Sequence, residues 1–364
     1  MAAAGIIEAI GVISGVLGII QFGVDNFAEP KTVGSTIRLT VGLDTNGGLN
    51  NAGGDLPDVR LFNEAGEFIG IKAGPGKVKD GGFGDITVDH NDDTTQQPTY
   101  ALFSANNDAI CVAYTSITWP NGDKYTWVGN WGHQCGGSWY YSNVYISGSN
   151  EKPDCLWIDG NNDQPQSGFQ VHWPEFVQKD GDTPISDVDQ AAKVDRLCNA
   201  GPPFKMYQYA DVKDPKGITF WTINNKRDDE DAAEGTAVSY GPPTYPASAK
   251  FRRGSSSSHY PRSNGTDTSS GNSSNPHFNR LIMSNAAQHT AAGLCESETS
   301  LGPDFLNVAD GTFCRMSDKT LWPVCDAGAQ VVDNCFSMDV HQLVVNGLTT
   351  RDTPYEYVDD WTSF

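Results

Sequence analysis

Six of the nine tryptophans fall between Ile110 and Trp173, and that stretch opens with ICVAYTSITW, an alternating run of ten residues. In an extended chain successive side chains point to opposite faces. Cys111, Ala113, Ile117 and Trp119 therefore share one face, and Ile110, Val112, Tyr114 and Thr118 share the other. β-Branched and aromatic residues at period two predict a strand. Pro120-Asn121-Gly122-Asp123 follows, and Asn-Gly accepts the positive φ values of a tight hairpin. KYTWVGNW then sets Tyr125, Trp127, Gly129 and Trp131 on one face. Beyond a turn at Cys135-Gly136-Gly137, SWYYSNVYIS sets Trp139, Tyr141 and Tyr145 on one face. The pattern predicts a three-stranded meander, which commits the chain to antiparallel sheet.

So many rings have two uses. The commoner is a core, where each ring buries a large apolar surface. The other is a carbohydrate platform, for which Trp127, Trp131, Trp139, Tyr140 and Tyr141 are the candidates. Tyr140 and Tyr141 are adjacent, so one of them is expected on the outer face.

The rest of the chain extends the β reading. With 39 Gly and 20 Pro, stretches of helix-length periodicity are few. STIRLTVGL from Ser35, a hairpin over 58–71 turning at Glu64-Ala65-Gly66, and Phe83–Val88 read as strands. LWIDG, SGFQVHWPEF, 205–210, 218–223 and RLIMS read likewise. Short helices are expected at 186–198 and at 286–295, the latter capped by Asn285. The expected fold is mainly β, an antiparallel, sandwich-like, disulfide-linked assembly with an apolar N-terminal helix. Its parts are an apolar segment over 1–30, a main β domain over 31–240, a Ser/Pro/Asn-rich linker over 241–279, and a cysteine-rich part over 280–364 that stands alone or completes the main domain.

Charge narrows the partners. With 24 basic and 45 acidic residues the net charge is −21, which argues against nucleic acid, whose recognition needs a basic footprint. It argues equally against simple attraction to anionic lipid. Eight cysteines, at 111, 135, 155, 198, 295, 314, 325 and 335, include no CxxC pair. An even count in a loop-rich chain predicts four disulfides and an extracellular, oxidising location. Loop closure alone favours the local pairs Cys111–Cys135, Cys155–Cys198, Cys295–Cys314 and Cys325–Cys335. Sequons at Asn264 and Asn272 and the dibasic Arg252-Arg253 at the mouth of the Ser-rich linker fit a secretory route.

The N-terminus, MAAAGIIEAIGVISGVLGIIQFGVDNFAEP, has no basic residue before Lys31, so it lacks the n-region of a leader. As a helix it sorts into a thin stripe of Gly11, Gly15 and Gly18, where a second helix would approach closely. The other face carries Ile13, Leu17, Ile20 and Phe27. Glycines cost about 1 kcal/mol each in an aqueous helix, so the segment needs packing, a partner or lipid. The strands and cysteines all begin later, so removing 1–28 is expected to spare the β domain.

Catalytic signatures are missing: there is no GxSxG, HExxH, P-loop or GxGxxG. His172, Glu175 and Asp159 make an acid–base group on paper, although 45 carboxylates make such groupings common by accident. Asp159, Asn161 and Asp163, and the run Asp85–Asp93, offer hard oxygens to calcium without the glutamate and spacing of an EF-hand loop. No other cofactor is implied.

The Gly-rich apolar start, CVAYTSITWPNGDKYTWVGNW and LCESETSLGPDF together resemble uncharacterised cysteine-rich secreted proteins of filamentous fungi. An amphipathic segment ahead of a β domain is also similar in layout to actinoporin-type cytolysins. The resulting expectation is a secreted, non-enzymatic, toxin-like protein whose N-terminal segment meets membrane lipid or a second copy. The alternatives are a glycan- or wall-binding module and a secreted hydrolase.

Overall fold

A computed structural model describes residues 6–13, 16–42, 52–91, 95–178, 190–222, 236–239, 279–326, 328–351 and 354–362. The chain is mainly β and forms several sheets. In the first, Trp139–Tyr141, Asp154–Ile158, Ile110–Thr118, Ser35–Val41 and Phe83–Val88 lie side by side, all antiparallel. The second runs Phe204–Gln208, Gln166–His172, Tyr100–Ser104, Asp58–Phe62 and Phe68–Lys72, again antiparallel.

The expected hairpin Ile110–Thr118/Lys124–Val128 forms, with Ile117 opposite Tyr125. The third strand of the expected meander does not join it. Trp139–Tyr141 pairs with Asp154–Ile158, which takes over the edge of the central strand from Ile110 to Val112. The handover occurs at Gly129, where a Cβ would lie 2.3 Å from the Asp154 carbonyl oxygen, so only glycine fits. From there the chain turns into helix α1 (Asn130–Gln134) and carries Trp131 inward.

All nine residues of Ile110–Thr118 are buried, although they alternate in direction. On the face of Thr115, the neighbouring Trp127 stacks on Phe169 and Phe204 of the second sheet at 4.9 and 5.4 Å. The opposite face is covered by the N-terminal segment. Tyr114 packs edge-on to Phe22, with centroids 5.5 Å apart. Its hydroxyl donates to Asn26 Oδ1, Ser116 donates to the Asn26 carbonyl, and Thr118 to that of Ala28.

That N-terminal segment is not a helix. It is a hairpin of β1 (Ile7–Ile13) and β2 (Val16–Phe22), with Gly11 opposite Gly18. β1 also pairs with Val177–Gln178. The reason lies in its isoleucines and valines, which favour strand, and its glycines, which penalise helix. Instead of admitting a second helix, the glycines make room inside the hairpin. A Cβ on Gly11 would sit 2.5 Å from Ile20 Cδ1, and one on Gly18 would sit 2.7 Å from Ile13 Cδ1. Gly15 lies outside the described residues.

The disulfides are Cys111–Cys155, Cys135–Cys198, Cys295–Cys314 and Cys325–Cys335. The two C-terminal bridges match the local expectation, whereas the first four cysteines pair crosswise. Strand pairing decides this: Cys111 faces Trp157, and Cys155 is two residues away on that partner strand. Cys135 is carried to helix α2 (Gln190–Asn199) instead. Four bridges imply an oxidising, extracellular-type environment.

The C-terminal part builds its own sheet, Thr320–Pro323, Thr312–Arg315, Asp304–Asn307, Arg280–Ser284 and Tyr357–Asp360, in which Arg280–Ser284 is parallel to both neighbours. Helix α3 (Ala291–Glu296) starts later than expected. Its N-cap is Thr290, whose hydroxyl accepts from Gly293 N–H, because 285–289 form a turn in which Ser284 Oγ accepts from Ala286 N–H. This part covers the aromatic block. Tyr140 donates to the Pro303 carbonyl, Tyr141 to that of Thr290, and Trp157 to that of Leu301. Both tyrosines are therefore buried, and the expected outer face at 140–141 does not exist. The linker 241–278, with Arg252, Arg253, Asn264 and Asn272, lies outside the described residues.

Candidate functional site

The N-terminal hairpin buries residues of both faces and leaves a few apolar side chains in solvent. Ala9, Ile20, Phe22 and Phe27 are in the core, Leu17 is buried, and Ile13 is half-buried. Trp131 Nε1 donates to the Ile10 carbonyl at 2.8 Å and fixes β1 to the domain. What remains outside is Ile6, Val16, Ile19 and Val24. β2 is an edge strand. The N–H of Leu17 donates to Gln190 Oε1 at 3.0 Å and that of Gly23 to the Ser147 carbonyl at 2.7 Å, so odd-numbered residues of β2 point away from β1. Between those two ties, the N–H groups of Ile19 and Gln21 meet no partner among the described residues. VLGIIQF carries no charge at all.

Beside that edge, a cleft of about 740 Å³ separates the hairpin tip from α2. Val12, Leu17, Ala191, Val194 and the Cys135–Cys198 bridge give it apolar lining, and Gln134, Asp195 and Asn199 add polar groups. Its volume falls within the range of small-ligand sites.

The aromatic candidates are elsewhere. Trp127, Trp131 and Tyr140 are fully buried, and Trp139 and Tyr141 nearly so. His133 stacks on Trp139 at 3.5 Å while its Nδ1 donates to Asp154 at 2.7 Å. These rings hold the protein together and offer no face to a sugar.

Of the acid–base group, His172 and Glu175 do meet. His172 Nδ1 is 3.3 Å from Glu175 Oε1, and its Nε2 is 2.9 Å from Glu64 Oε2. The imidazole stacks on Tyr100 at 4.1 Å. Glu175 also accepts from both Arg196 Nη atoms and from Trp221 Nε1 at 2.9 Å. Burial opposes its charge, yet His172 and Arg196 hold its carboxyl down at about 2. His172 loses to desolvation but gains more from the two carboxylates, which raise its pKa. Glu64 is held below the usual range, chiefly by its bond to His172. Six elements thus converge at one end of the second sheet.

Asp159 is not part of that group. Its Oδ2 accepts from the N–H groups of Asn161, Asp163 and Gln164, and Asn161 Oδ1 also accepts from Asp163 N–H. Burial pushes the Asp159 carboxyl up to about 6. Asp159 Oδ2 and Asn161 Oδ1 are thus taken by the loop's own backbone, whereas the buried Asp159 Oδ1 meets no hydrogen-bond partner among the described residues. Among the described residues no three His, Cys, Asp or Glu side chains gather as a metal site. Asp85 is paired with Arg38 at 2.7 Å, and Asp92 and Asp93 lie outside the described residues.

Sequence reasoning missed Glu64, Arg196, Trp221 and Tyr100. No local pattern marks them, because each reaches His172 or Glu175 from a distant strand, turn or helix.

No protein-family model matches the chain, and no curated protein matches it in sequence. Among the described residues, no helix is long and apolar enough to cross a membrane, which says nothing of strands.

Proposed function

We propose that this is a secreted, non-enzymatic protein of sandwich-like build that acts through its N-terminal hairpin, pairing edge to edge with a second copy. The observation that carries the reading is the β2 edge, uncharged and apolar, with the Ile19 and Gln21 N–H groups turned outward. Exposed edges of this kind invite strand addition, and soluble proteins ordinarily guard them with a charge or proline. Two β2 edges meeting antiparallel would join their three-stranded sheets and cover Val16 and Ile19. A chain at −21 repels its copies at long range, so pairing should strengthen with salt.

Action by binding suits the acid–base group as well, since both nitrogens of His172 are occupied and its side chain is 7% exposed. Neutral lipid is the second reading. It is favoured by the same outward Ile6, Val16, Ile19 and Val24, although most of the segment's apolar surface is already used in the core.

Ile19→Lys tests both. The side chain is partly exposed, so the fold should hold and the melting temperature should barely move. Sedimentation velocity should show salt-favoured dimers of the wild type and monomers of the variant. A wild type that stays monomeric at every concentration, or a variant that associates as before, sinks the reading. Dye release from neutral vesicles by the wild type alone would transfer it to lipid.

A further inference from the structure

A neutral imidazole has a single N–H, whereas an imidazolium has two. His172 is placed against a carboxylate oxygen at each nitrogen, 3.3 Å on the Glu175 side and 2.9 Å on the Glu64 side. Ionised carboxylates only accept, so both bonds exist together only when the ring carries both protons. We propose that His172 is a proton-operated clasp: doubly protonated, it ties the turn at Glu64 to the short helix Trp173–Phe176, and loss of one proton releases the Glu64 arm.

The charged and titratable groups around it set the direction of release. Glu175, from the short helix, is mostly buried and has other donors in Arg196 of α2 and Trp221 of strand Thr219–Thr222. Tyr100, from the second sheet, stacks on the ring and takes a bond at its hydroxyl from Trp221 N–H. The Glu64 side chain, by contrast, is 60% exposed, so water can replace the imidazole there at little cost. The outer arm, though the shorter contact, is the one that solvent can replace.

What the arm holds down is visible at Gly66, two residues on in the same turn. Its φ is +77°, and a Cβ there would lie 2.6 Å from the Phe220 ring. The turn therefore rests directly on strand Thr219–Thr222, and lifting it would uncover Phe220. While the turn is down, three bonds to Asn63 brace it, from Ala65 and Glu67 N–H to Oδ1 and from Gly66 N–H to its carbonyl.

The sign follows from the neighbours. Two carboxylates raise the pKa of His172 above its ordinary value. A raised histidine contributes stability that is present in full below its unfolded value and is lost as pH rises through the folded one. Both carboxylates titrate below their ordinary range, so they stay charged throughout. The clasp is closed in mild acid and opens as pH rises through the raised value of His172.

Hydrogen exchange of the 63–67 amides, corrected for intrinsic rates, tests this in the intact protein between about pH 6 and about pH 9. Exchange should quicken on the order of tenfold across that range in the wild type. Glu64→Gln should exchange fast at both ends, and His172→Gln should do the same if it folds. Nitrogen-15 spectra should show His172 doubly protonated at the acid end of the range. Flat exchange across the range, a pH response retained in Glu64→Gln, or a neutral ring at about pH 6 would each overturn the clasp.

Discussion

The central block, Ile110 to Trp173, and the N-terminal hairpin are the two most apolar parts of the chain, and they fold by different rules. The block alternates, so each strand has two legible faces, and both are then covered: one by the second sheet, the other by the N-terminal segment or the C-terminal part. The hairpin has a nearly unbroken apolar run with glycines in it. One of its sides is packed along its length, and on the other Ile10 and Leu17 are buried while Ile19 and Gln21 stay in solvent. The lesson is that burial is set by what packs on a face from elsewhere in the chain, while alternation shows only that a strand has two sides.

The largest effect should come from cutting the two regions apart. Removing residues 1–28 takes Ala9, Ile10, Ile20, Phe22 and Phe27 out of the core and strips acceptors from Trp131, Ser116 and Thr118. Each large core side chain is worth about 2–5 kcal/mol, and a domain has about 5–15 kcal/mol in all. The truncated chain should show no cooperative melt and should bind hydrophobic dye, contrary to the expectation from sequence that the β domain survives alone. A sharp thermal transition in the truncated protein would show that the hairpin is an appendage after all.

The block differs from the hairpin in being stapled. Replacing both cysteines of the Cys135–Cys198 bridge by serine should cost about 2–5 kcal/mol. Its span is 63 residues against 10 for Cys325–Cys335, so chain entropy puts its loss roughly 1.5 kcal/mol above that of the smaller loop. Chemical denaturation of the two double mutants gives the order, and equal losses would mean that local packing outweighs loop length.

Within the hairpin the contrast between packed and exposed positions is testable at single residues. Gly11→Ala forces a methyl against Ile20 and should destabilise by about 1–3 kcal/mol. Val16→Thr, at the far end of the same face and 54% exposed, should stay within about 0.5 kcal/mol. Thermal melts that rank the two the other way would show that packing reaches the end of the hairpin.

Much of this was legible beforehand. Ser35–Val41, the hairpin Asp58–Lys72 turning near Glu64, Phe83–Val88 and Ile110–Val128 announce themselves by alternation and turn residues. The N-terminus does not, because glycines four apart make a helix stripe as readily as glycines seven apart face each other across a hairpin. His172 and Glu175 are three residues apart and could be paired by eye. Glu64 lies 108 residues from His172, and nothing in its surroundings points there. Contacts at that separation are set by topology, which short-range pattern does not carry.

The crosswise pairing of the first four cysteines has a consequence for how the chain is made. A polypeptide delivered from its N-terminus offers Cys135 to Cys111 before Cys155 has emerged, so the earliest bridge open to it is the wrong one. Cys135 must then wait for Cys198, 63 residues further on. Correct closure depends on holding thiols reduced, or on reshuffling them over seconds to hours. Yield of this protein should therefore track the disulfide isomerase capacity of the compartment that produces it.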